Sequence, residues 1–178
     1  MPTLPQKMTS HKKNLLVTCG AGFIGSNFIN YIHKKYPNYN IQLLDALTYA
    51  GNLENISNNL KSNGHFHFSH GNVTQPDIVN QLVSESDIVV HFAAESHVTR
   101  SIYDNSLFFE TDVIGTQVLA NAIVNHPVER FIHISSSEVY GTAINAPMTE
   151  DHPLNLMSTY AAATAGADNL HLSSKCPQ

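Results

Sequence analysis

Three glycines near the start of the chain have the spacing of a phosphate-binding turn. Gly20, Gly22 and Gly25 form a G-x-G-x-x-G pattern directly after the apolar run Asn14–Thr18. Between a strand and a helix, such glycines permit a tight turn, a close approach of the backbone to a pyrophosphate, and close packing of the helix on the strand. The unpaired N–H groups of the first helical turn would point at the phosphates. A glycine turn that binds no ligand would show the same spacing.

A carboxylate at the end of the next predicted strand makes this pattern more specific. Asp45 closes the run NIQLLD and lies twenty residues after Gly25 (45 − 25 = 20). At that place in a dinucleotide-binding unit, an acidic side chain accepts hydrogen bonds from the hydroxyls of an adenosine ribose, and it would repel a 2′-phosphate. The pair of signals therefore predicts a site for an adenine dinucleotide, NAD in preference to NADP.

The composition is that of a globular domain. The chain has 178 residues, 42% of them hydrophobic and 13% charged, with a formal net charge of −5. The mild acidity argues against nucleic acid as a partner. Two cysteines, Cys19 and Cys176, are too few for a disulfide framework and fit a reducing cytoplasm. Residues 1–12 have no apolar core, so we expect a flexible leader there and no signal peptide or membrane span.

Apolar runs and helical stripes alternate along the chain. Strands are predicted at residues 14–18, 40–45, 65–70, 87–92 and 130–135, and helices at about 23–36, after 52, at 76–84, 104–125 and 158–174, with a long polar loop over 136–157. This order predicts an α/β, doubly wound parallel sheet of the Rossmann type, with residues 13–178 as one NAD-binding domain. Ligands of such sheets bind beyond the carboxyl ends of the strands.

Several longer segments resemble the extended short-chain dehydrogenase/reductases, in the NAD-dependent epimerase/dehydratase group, and most of all the dTDP-glucose 4,6-dehydratases. They cover nearly all of residues 14–168, and they are VTCGAGFIGSNF, LLDALTYAGNLENI, HGNV, HFAAESHVTRS, TDVIGTQVL, ISSSEVYG and STYAAATAGAD. The resemblance implies a truncation: the chain ends just after the helix that carries Tyr160, and the C-terminal substrate domain is absent.

The resemblance also implies roles for single residues in cofactor binding. Those implied to contact NAD are Gly22, Phe23, Ile24 and Gly25 at the pyrophosphate, Asp45 at the ribose, Leu47 and Thr48 after it, Asn72 and Val73 at the adenine, Ala93, Ala94 and Ser96 on the nicotinamide side, and Tyr160. Asn72 stands where the family usually has Asp, but its amide oxygen can still accept from the adenine amino group. No metal site is expected from the histidines at 65, 67 and 70.

The reaction implied by the resemblance is an internal redox cycle on a nucleotide sugar. A tyrosinate removes the C4 hydroxyl proton, NAD takes the C4 hydride and later returns it to C6, and an acid and a base remove water across C5 and C6. The family supplies the tyrosinate from a Tyr-x-x-x-Lys pair, and the other groups from a Thr/Ser-Asp-Glu triplet. The matching residues here are Tyr160, Ser136 and Glu138.

Besides Asn72, three residues depart from the family pattern. Thr164 replaces the lysine four residues after Tyr160, and an unaided phenol titrates near pH 10. Ser137 replaces the acid, and a serine hydroxyl cannot protonate a leaving hydroxide; related epimerases also carry serine there. Cys19 stands where the family has the first glycine of its turn, either as an acidic thiol at a helix N-terminus or only as a small residue.

Three hypotheses remain open. The chain is the cofactor-binding half of a nucleotide-sugar dehydratase or 4-epimerase, or a non-catalytic NAD-binding module, or a structural remnant that pairs with another chain. The family often forms dimers through the long helix and the tyrosine helix, so Tyr103, Phe108 and Phe109 fit either a homodimer interface or core packing. A Ser/His/Asp hydrolase is not indicated, because the chain lacks a G-x-S-x-G elbow.

Overall fold

Five short apolar strands form a parallel sheet. In the computed structural model, which describes residues 12–173, the strands are β1 (Asn14–Thr18), β2 (Asn40–Asp45), β3 (Phe66–His70), β4 (Ile88–His91) and β5 (Arg130–His133). Their order is β3-β2-β1-β4-β5, and every neighbouring pair is parallel. The predicted doubly wound parallel sheet is therefore confirmed. Of the predicted leader, only Lys12 belongs to the described residues.

Helices connect the strands on both faces of the sheet. They are α1 (Phe23–Lys35), a 3-10 turn (Leu53–Asn55), α2 (Asn58–Lys61), α3 (Pro76–Ser84), α4 (Val98–Tyr103), α5 (Ser106–Phe108) continued by a π-helical segment (Phe109–Ile114) and by α6 (Gly115–Asn125), a second 3-10 turn (Ser137–Tyr140), and α7 (Thr159–Ser173). Ser158 caps α7 as predicted, since its Oγ accepts from the Ala161 N–H at 3.1 Å.

The core lies on both faces of the sheet. On one face, α1 and α2 cover Leu15, Val17, Ile41 and Leu43; on the other, α3 and α6 cover Leu16, Leu44 and Val89. His91 of β4 is fully buried, and its ring nitrogens lie 2.7 Å from the Thr18 Oγ1 and 3.0 Å from the Thr116 Oγ1. A buried polar side chain must find such partners, and here they tie β1, β4 and α6 together.

The region after β4 departs from the predicted elements. The predicted helix from Asp104 begins at Ser106, after the N-cap residue Asn105, and the Asp104 carboxylate accepts from the Ser106 N–H at 3.1 Å. The separate helix α4 was not predicted, since its six residues are too few for a clear periodic pattern. Three predicted strands are also one or two residues too long, as expected when boundaries are read from sequence. The predicted loop over 136–157 contains the second 3-10 turn.

The continuous helix Ser106–Asn125 is long and apolar enough to cross a membrane by length and composition. In the structure one side of it packs against α3 and α7 and buries Phe108, Asp112 and Leu119. Of the aromatic residues predicted at this helix, Phe108 is in the core, whereas Tyr103 is 87% exposed and Phe109 is 42% exposed. Core packing is therefore correct for Phe108, whereas Tyr103 and Phe109 lie on the surface.

Candidate functional site

The glycine turn after β1 leaves no room for a side chain at Gly25. A Cβ on Gly25 would lie 2.6 Å from the carbonyl oxygen of Cys19 and 2.7 Å from the Cα of Gly20, and neither backbone atom can move without opening the turn. Cys19 itself has a φ of 55°, the left-handed region that non-glycine residues rarely adopt. Gly22 is the N-cap of α1 and has no side chain to satisfy the first N–H groups. These groups are available to an anion.

Asp45 lies directly beside this turn. Its side chain is 5% exposed, and its Oδ2 accepts from the Ala21 N–H in the glycine turn at 2.9 Å. Its Oδ1 accepts from the N–H of Leu47 at 2.8 Å, which holds Leu47 at a φ of 48°. An ionised carboxylate has about four acceptor positions, so two remain for further donors. The structure thus brings the two strongest sequence signals into one crevice.

A narrow cleft continues from this crevice along the carboxyl ends of the strands. Its lining includes six residues that were predicted as cofactor contacts: Asp45, Thr48, Asn72, Val73, Ala93 and Ala94. The Oδ1 of Asn72 accepts from the Thr74 N–H at 3.0 Å and keeps one lone pair free of that bond. Four other predicted contacts are not among the residues that line the cleft: Phe23 and Ile24 are exposed at the first turn of α1, Leu47 packs on the core, and Ser96 is exposed after β4.

Two acidic residues of this region were not predicted as part of a site. Glu95 is 8% exposed and lines the cleft, and its backbone N–H donates to the Oδ1 of Asp112 at 2.8 Å. Asp112 is 2% exposed, and its Oδ2 has no hydrogen-bond partner among residues 12–173. The only signal in the sequence is a carboxylate inside an otherwise apolar helical stripe. Sequence alone does not show that this helix faces the loop after β4.

We expect Asp112→Asn to stabilise the protein above pH 7. Burial raises the pKa of the Asp112 carboxyl from 3.8 to about 7, and the charge of Glu95 adds to the rise, against the bond from the Glu95 N–H. Because this folded-state pKa is above the unfolded one, the folded state binds more protons, and stability falls as pH rises from about 4 to about 7. The asparagine keeps the oxygen that accepts from Glu95 and carries no charge.

Chemical denaturation between pH 5 and pH 8 measures this effect. At pH 8 the variant should be more stable by on the order of 1–3 kcal/mol, and the difference should shrink towards pH 5. Glu110→Gln is the control, since Glu110 is an exposed carboxylate on the same continuous helix and should change little. A stability difference that does not vary with pH would contradict the assignment.

The thiol of Cys19 is not an acidic one. Burial raises its pKa to about 12, and the negative charges of Asp45 and Glu95 add to the rise, against a hydrogen bond with the backbone of Ala94. The thiol is therefore protonated at neutral pH and is a poor nucleophile. Of the two predictions for this residue, the structure supports the small residue in a tight turn.

Tyr160 lies in the first turn of α7 and is anchored to α4. The Ser101 carbonyl accepts from the Thr159 hydroxyl at 2.6 Å, and the Ser101 Oγ accepts from the Tyr160 N–H at 3.2 Å. The Tyr160 ring meets Phe108 edge-on, with centroids 6.3 Å apart. Thr164 is 5% exposed, and its hydroxyl donates to the Tyr160 carbonyl at 3.1 Å. That hydroxyl is thus used within the helix and brings no positive charge to the phenol.

The triplet after β5 borders a second cleft, of about 620 Å³. Ser136 and Ser137 line it, whereas neither Glu138 nor Tyr160 is among the described residues that do so. Glu138 is exposed, and its N–H donates to the Ser136 Oγ at 3.2 Å. The structure therefore brings the two serines together and leaves the other two predicted catalytic side chains outside this cleft.

One carboxylate holds the tyrosine helix to the sheet. Asp168 of α7 accepts from the Ser135 Oγ at 2.6 Å, and its other oxygen lies 3.2 Å from the Nε2 of His133 on β5.

Among residues 12–173, no three His, Cys, Asp or Glu side chains are grouped to hold a metal ion. Two of the histidines considered for a metal site have other partners: His65 contacts the Asn40 side chain, and His70 contacts the Ala46 carbonyl.

Comparison with known proteins agrees with this geometry. A family model described as GDP-mannose 4,6 dehydratase matches residues 16–174. A dTDP-glucose 4,6-dehydratase of Mycobacterium tuberculosis is 45% identical over 88% of this chain and 47% of its own length. The crystal structure of a dTDP-glucose 4,6-dehydratase from Streptomyces venezuelae with NAD bound superposes with a TM-score of 0.84 at 41% identity, over 90% of this chain and 51% of that one.

A UDP-N-acetylglucosamine 4-epimerase from Methanobrevibacter ruminantium also superposes, with a TM-score of 0.83 at 28% identity, over 92% of this chain and 50% of that one. The chain thus spans about half the length of the relatives it matches. The family match covers most of residues 12–173, and the resemblance seen in the sequence is confirmed by it. The chain belongs to the GDP-mannose 4,6 dehydratase family.

Proposed function

We propose that this chain binds NAD in the crevice between the glycine turn and Asp45, as the cofactor-binding part of a nucleotide-sugar 4,6-dehydratase of the dTDP-glucose type. The observation that carries the proposal is the hydrogen bond from the Ala21 N–H to Asp45 at 2.9 Å, because it places a ribose acceptor beside a phosphate-binding turn. In this reading, residues 13–178 are an NAD-binding domain, and the substrate is a nucleotide sugar such as a dTDP-hexose.

The residues present fit the cofactor. Gly25 has no room for a Cβ, and the Gly22 N–H donates to the Cys19 carbonyl within the turn. The backbone of Phe23 and Ile24 presents the N–H groups that would face the pyrophosphate, with Gly22 beside them as the N-cap. Other residues would contact the rest of the NAD molecule. They are Asp45, Leu47 and Thr48 at the ribose, Asn72 and Val73 at the adenine, and Ala93, Ala94, Ser96 and Tyr160 on the nicotinamide side. When bound, NAD supplies a hydride acceptor.

The catalytic side chains would act on protons. Tyr160 would take the proton of a sugar hydroxyl, Glu138 would act as a base, and Ser136 would position the sugar through its hydroxyl. Asp45 is 5% exposed, and the Ser101 Oγ, which accepts from the Tyr160 N–H, fixes the backbone from which the phenol extends.

Isothermal titration with NAD and NADP tests the proposal. We expect NAD to bind at least about tenfold more tightly than NADP, because a 2′-phosphate would meet the negative charge of Asp45. Asp45→Ala should weaken NAD binding and reduce the difference in affinity between NAD and NADP. Asp77→Ala, an exposed carboxylate on α3, is the matched control. The proposal would be refuted if neither nucleotide gave heat of binding, or if NADP bound more tightly than NAD. The ratio of the two dissociation constants in the wild-type protein tests the proposal even if Asp45→Ala does not fold.

Two alternatives are supported by particular side chains. Ser137 in place of an acid favours a 4-epimerase-like enzyme, and the Methanobrevibacter epimerase shares the fold of this chain. The hydroxyl of Thr164, bonded to the Tyr160 carbonyl, favours a module that holds NAD without turnover, since the phenol then lacks a neighbouring ammonium.

We also propose a cytoplasmic homodimer that forms through the long helix and the tyrosine helix. Large apolar side chains are exposed on α4 and on the continuous helix that follows it: Ile102, Tyr103, Phe109 and Ile114. Contiguous exposed apolar residues commonly mark a protein interface.

A further inference from the structure

Tyr49 connects two loops that lie on either side of the glycine turn. It belongs to the loop after β2, and its hydroxyl donates to the Oε2 of Glu95 in the loop after β4 at 2.9 Å. Because β1 lies between β2 and β4 in the sheet, this bond passes across the end of β1, where the glycine turn begins. Burial and the Glu95 carboxylate raise the pKa of Tyr49, so its hydroxyl keeps the proton that it donates.

The ring of Tyr49 is held by the same segment as its hydroxyl. The guanidinium of Arg100 on α4 lies over the ring, 5.3 Å from its centroid, and the His97 ring lies 5.6 Å away. A cation over an aromatic face is attracted by the ring quadrupole. Tyr49 therefore contacts the β4–α4 segment through both its polar and its aromatic parts, although the residue is 53% exposed.

The ends of each loop are fixed separately. In the loop after β2, the Leu47 N–H donates to Asp45, and the Asn52 N–H and the Asn55 amide both donate to the Ala21 carbonyl, at 3.1 and 2.9 Å. In the loop after β4, the Glu95 N–H donates to Asp112. Between these anchors, Tyr49 supplies a direct side-chain contact from the first loop to the second.

We propose that Tyr49 is a positioning residue for NAD, and this inference rests on the proposed function. Through Glu95 and Arg100, it holds the loops after β2 and β4 at a set separation across the glycine turn. A cleft whose walls are already held in place loses less conformational freedom when NAD binds. Removal of the contact should therefore weaken binding, and mainly by faster dissociation of NAD, since the association step depends on exposed parts of the turn.

Stopped-flow measurement of NAD association and dissociation tests this role. For Tyr49→Phe, which keeps the ring and removes the hydroxyl, we expect dissociation to be about 5- to 20-fold faster, which corresponds to about 1–2 kcal/mol and to a partly exposed hydrogen bond. Association should change less than about twofold. Tyr49→Ala, which also loses the contact with Arg100, should show a larger effect. In the Glu95→Ala background, Tyr49→Phe should have a smaller further effect, because the carboxylate partner is already missing and only the contact with Ser96 remains.

The control is Tyr31→Phe, since Tyr31 is a 57% exposed tyrosine on α1, outside the cleft and the proposed interface, and this substitution should leave both rates unchanged. The ligand-free Tyr49→Phe protein should unfold at the wild-type temperature to within about 2 °C, as expected for a partly exposed hydroxyl. A lower unfolding temperature with unchanged dissociation would overturn the inference in favour of a purely structural role. Equal acceleration of both rates would overturn it in favour of a gate. Failure of the wild-type protein to bind NAD would refute the proposed function itself, whereas unchanged rates in Tyr49→Phe would refute only this inference.

Discussion

Incubated with dTDP-glucose and NAD, the 178-residue chain is expected to form no measurable 4-keto-6-deoxy product. The Thr164 hydroxyl donates to the Tyr160 carbonyl and carries no charge, so it cannot assist ionisation of a phenol. Ser137 has no proton acidic enough for a leaving hydroxide. Each missing acid or base typically costs about 10²- to 10⁴-fold in rate, so turnover should be at least roughly 10⁴-fold below that of a full dehydratase. The alkali-stable absorbance of the product measures it.

Thr164→Lys alone should not restore this activity. The chain spans about half the length of the relatives it matches, and Ser137 would still lack an acidic proton. Thr164→Lys combined with Ser137→Asp provides both groups, and we expect this variant to remain without product because the chain spans only about half the length of the dehydratases it matches. The Streptomyces venezuelae dehydratase serves as the positive control. Robust product from the wild-type chain would show that Tyr160 needs no lysine, and rescue by the double variant would show that a sugar site is present.

Gly25→Ala is expected to abolish NAD binding and to reduce the free energy of unfolding by about 2–4 kcal/mol, as for other substitutions that overpack a rigid site. The added Cβ would lie 2.6 Å from the Cys19 carbonyl oxygen and 2.7 Å from the Gly20 Cα. Both are backbone atoms, so the turn must open. Opening it also moves the neighbouring Ala21 N–H away from Asp45, and the two proposed contacts with NAD are then lost together.

Gly64→Ala is the matched control for this substitution. Gly64 lies in the turn before β3, and a Cβ there would meet no atom within 4 Å, so its stability should change by less than about 0.5 kcal/mol. Denaturant unfolding and titration with NAD measure the two effects. Unchanged NAD affinity in a folded Gly25→Ala protein would show that the glycine turn does not bind the pyrophosphate.

Local pattern was enough to predict the sheet and its first crevice. Strand β1 and the start of α1 follow from a compact apolar run that ends in glycines, and β2 ends at Asp45 as its pattern predicts. Parallel strands connected by helices bring their carboxyl ends to one edge, so the meeting of Asp45 with the glycine turn could be expected before any coordinates. The family resemblance also rests on contiguous segments, which can be read without the fold. The family match over residues 16–174 confirms it.

The region after β4 required the tertiary structure. The six-residue helix α4 and the π-helical segment Phe109–Ile114 have no periodic signature of their own, and both are held by partners distant in sequence. One example is Ser101, which binds the first turn of α7 nearly sixty residues later. Such contacts leave no mark on the local pattern.

The alternation of strands and helices, the glycine turn and its acidic partner follow from the order of the amino acids, because each depends on residues close together in the chain. The folded domain was needed to show that Glu95 meets Tyr49 and Asp112, that Cys19 has a raised pKa, and that Thr164 directs its hydroxyl into its own helix. The physical reason is that burial and pairing depend on the distances between separate elements, and the packing of the whole domain sets those distances.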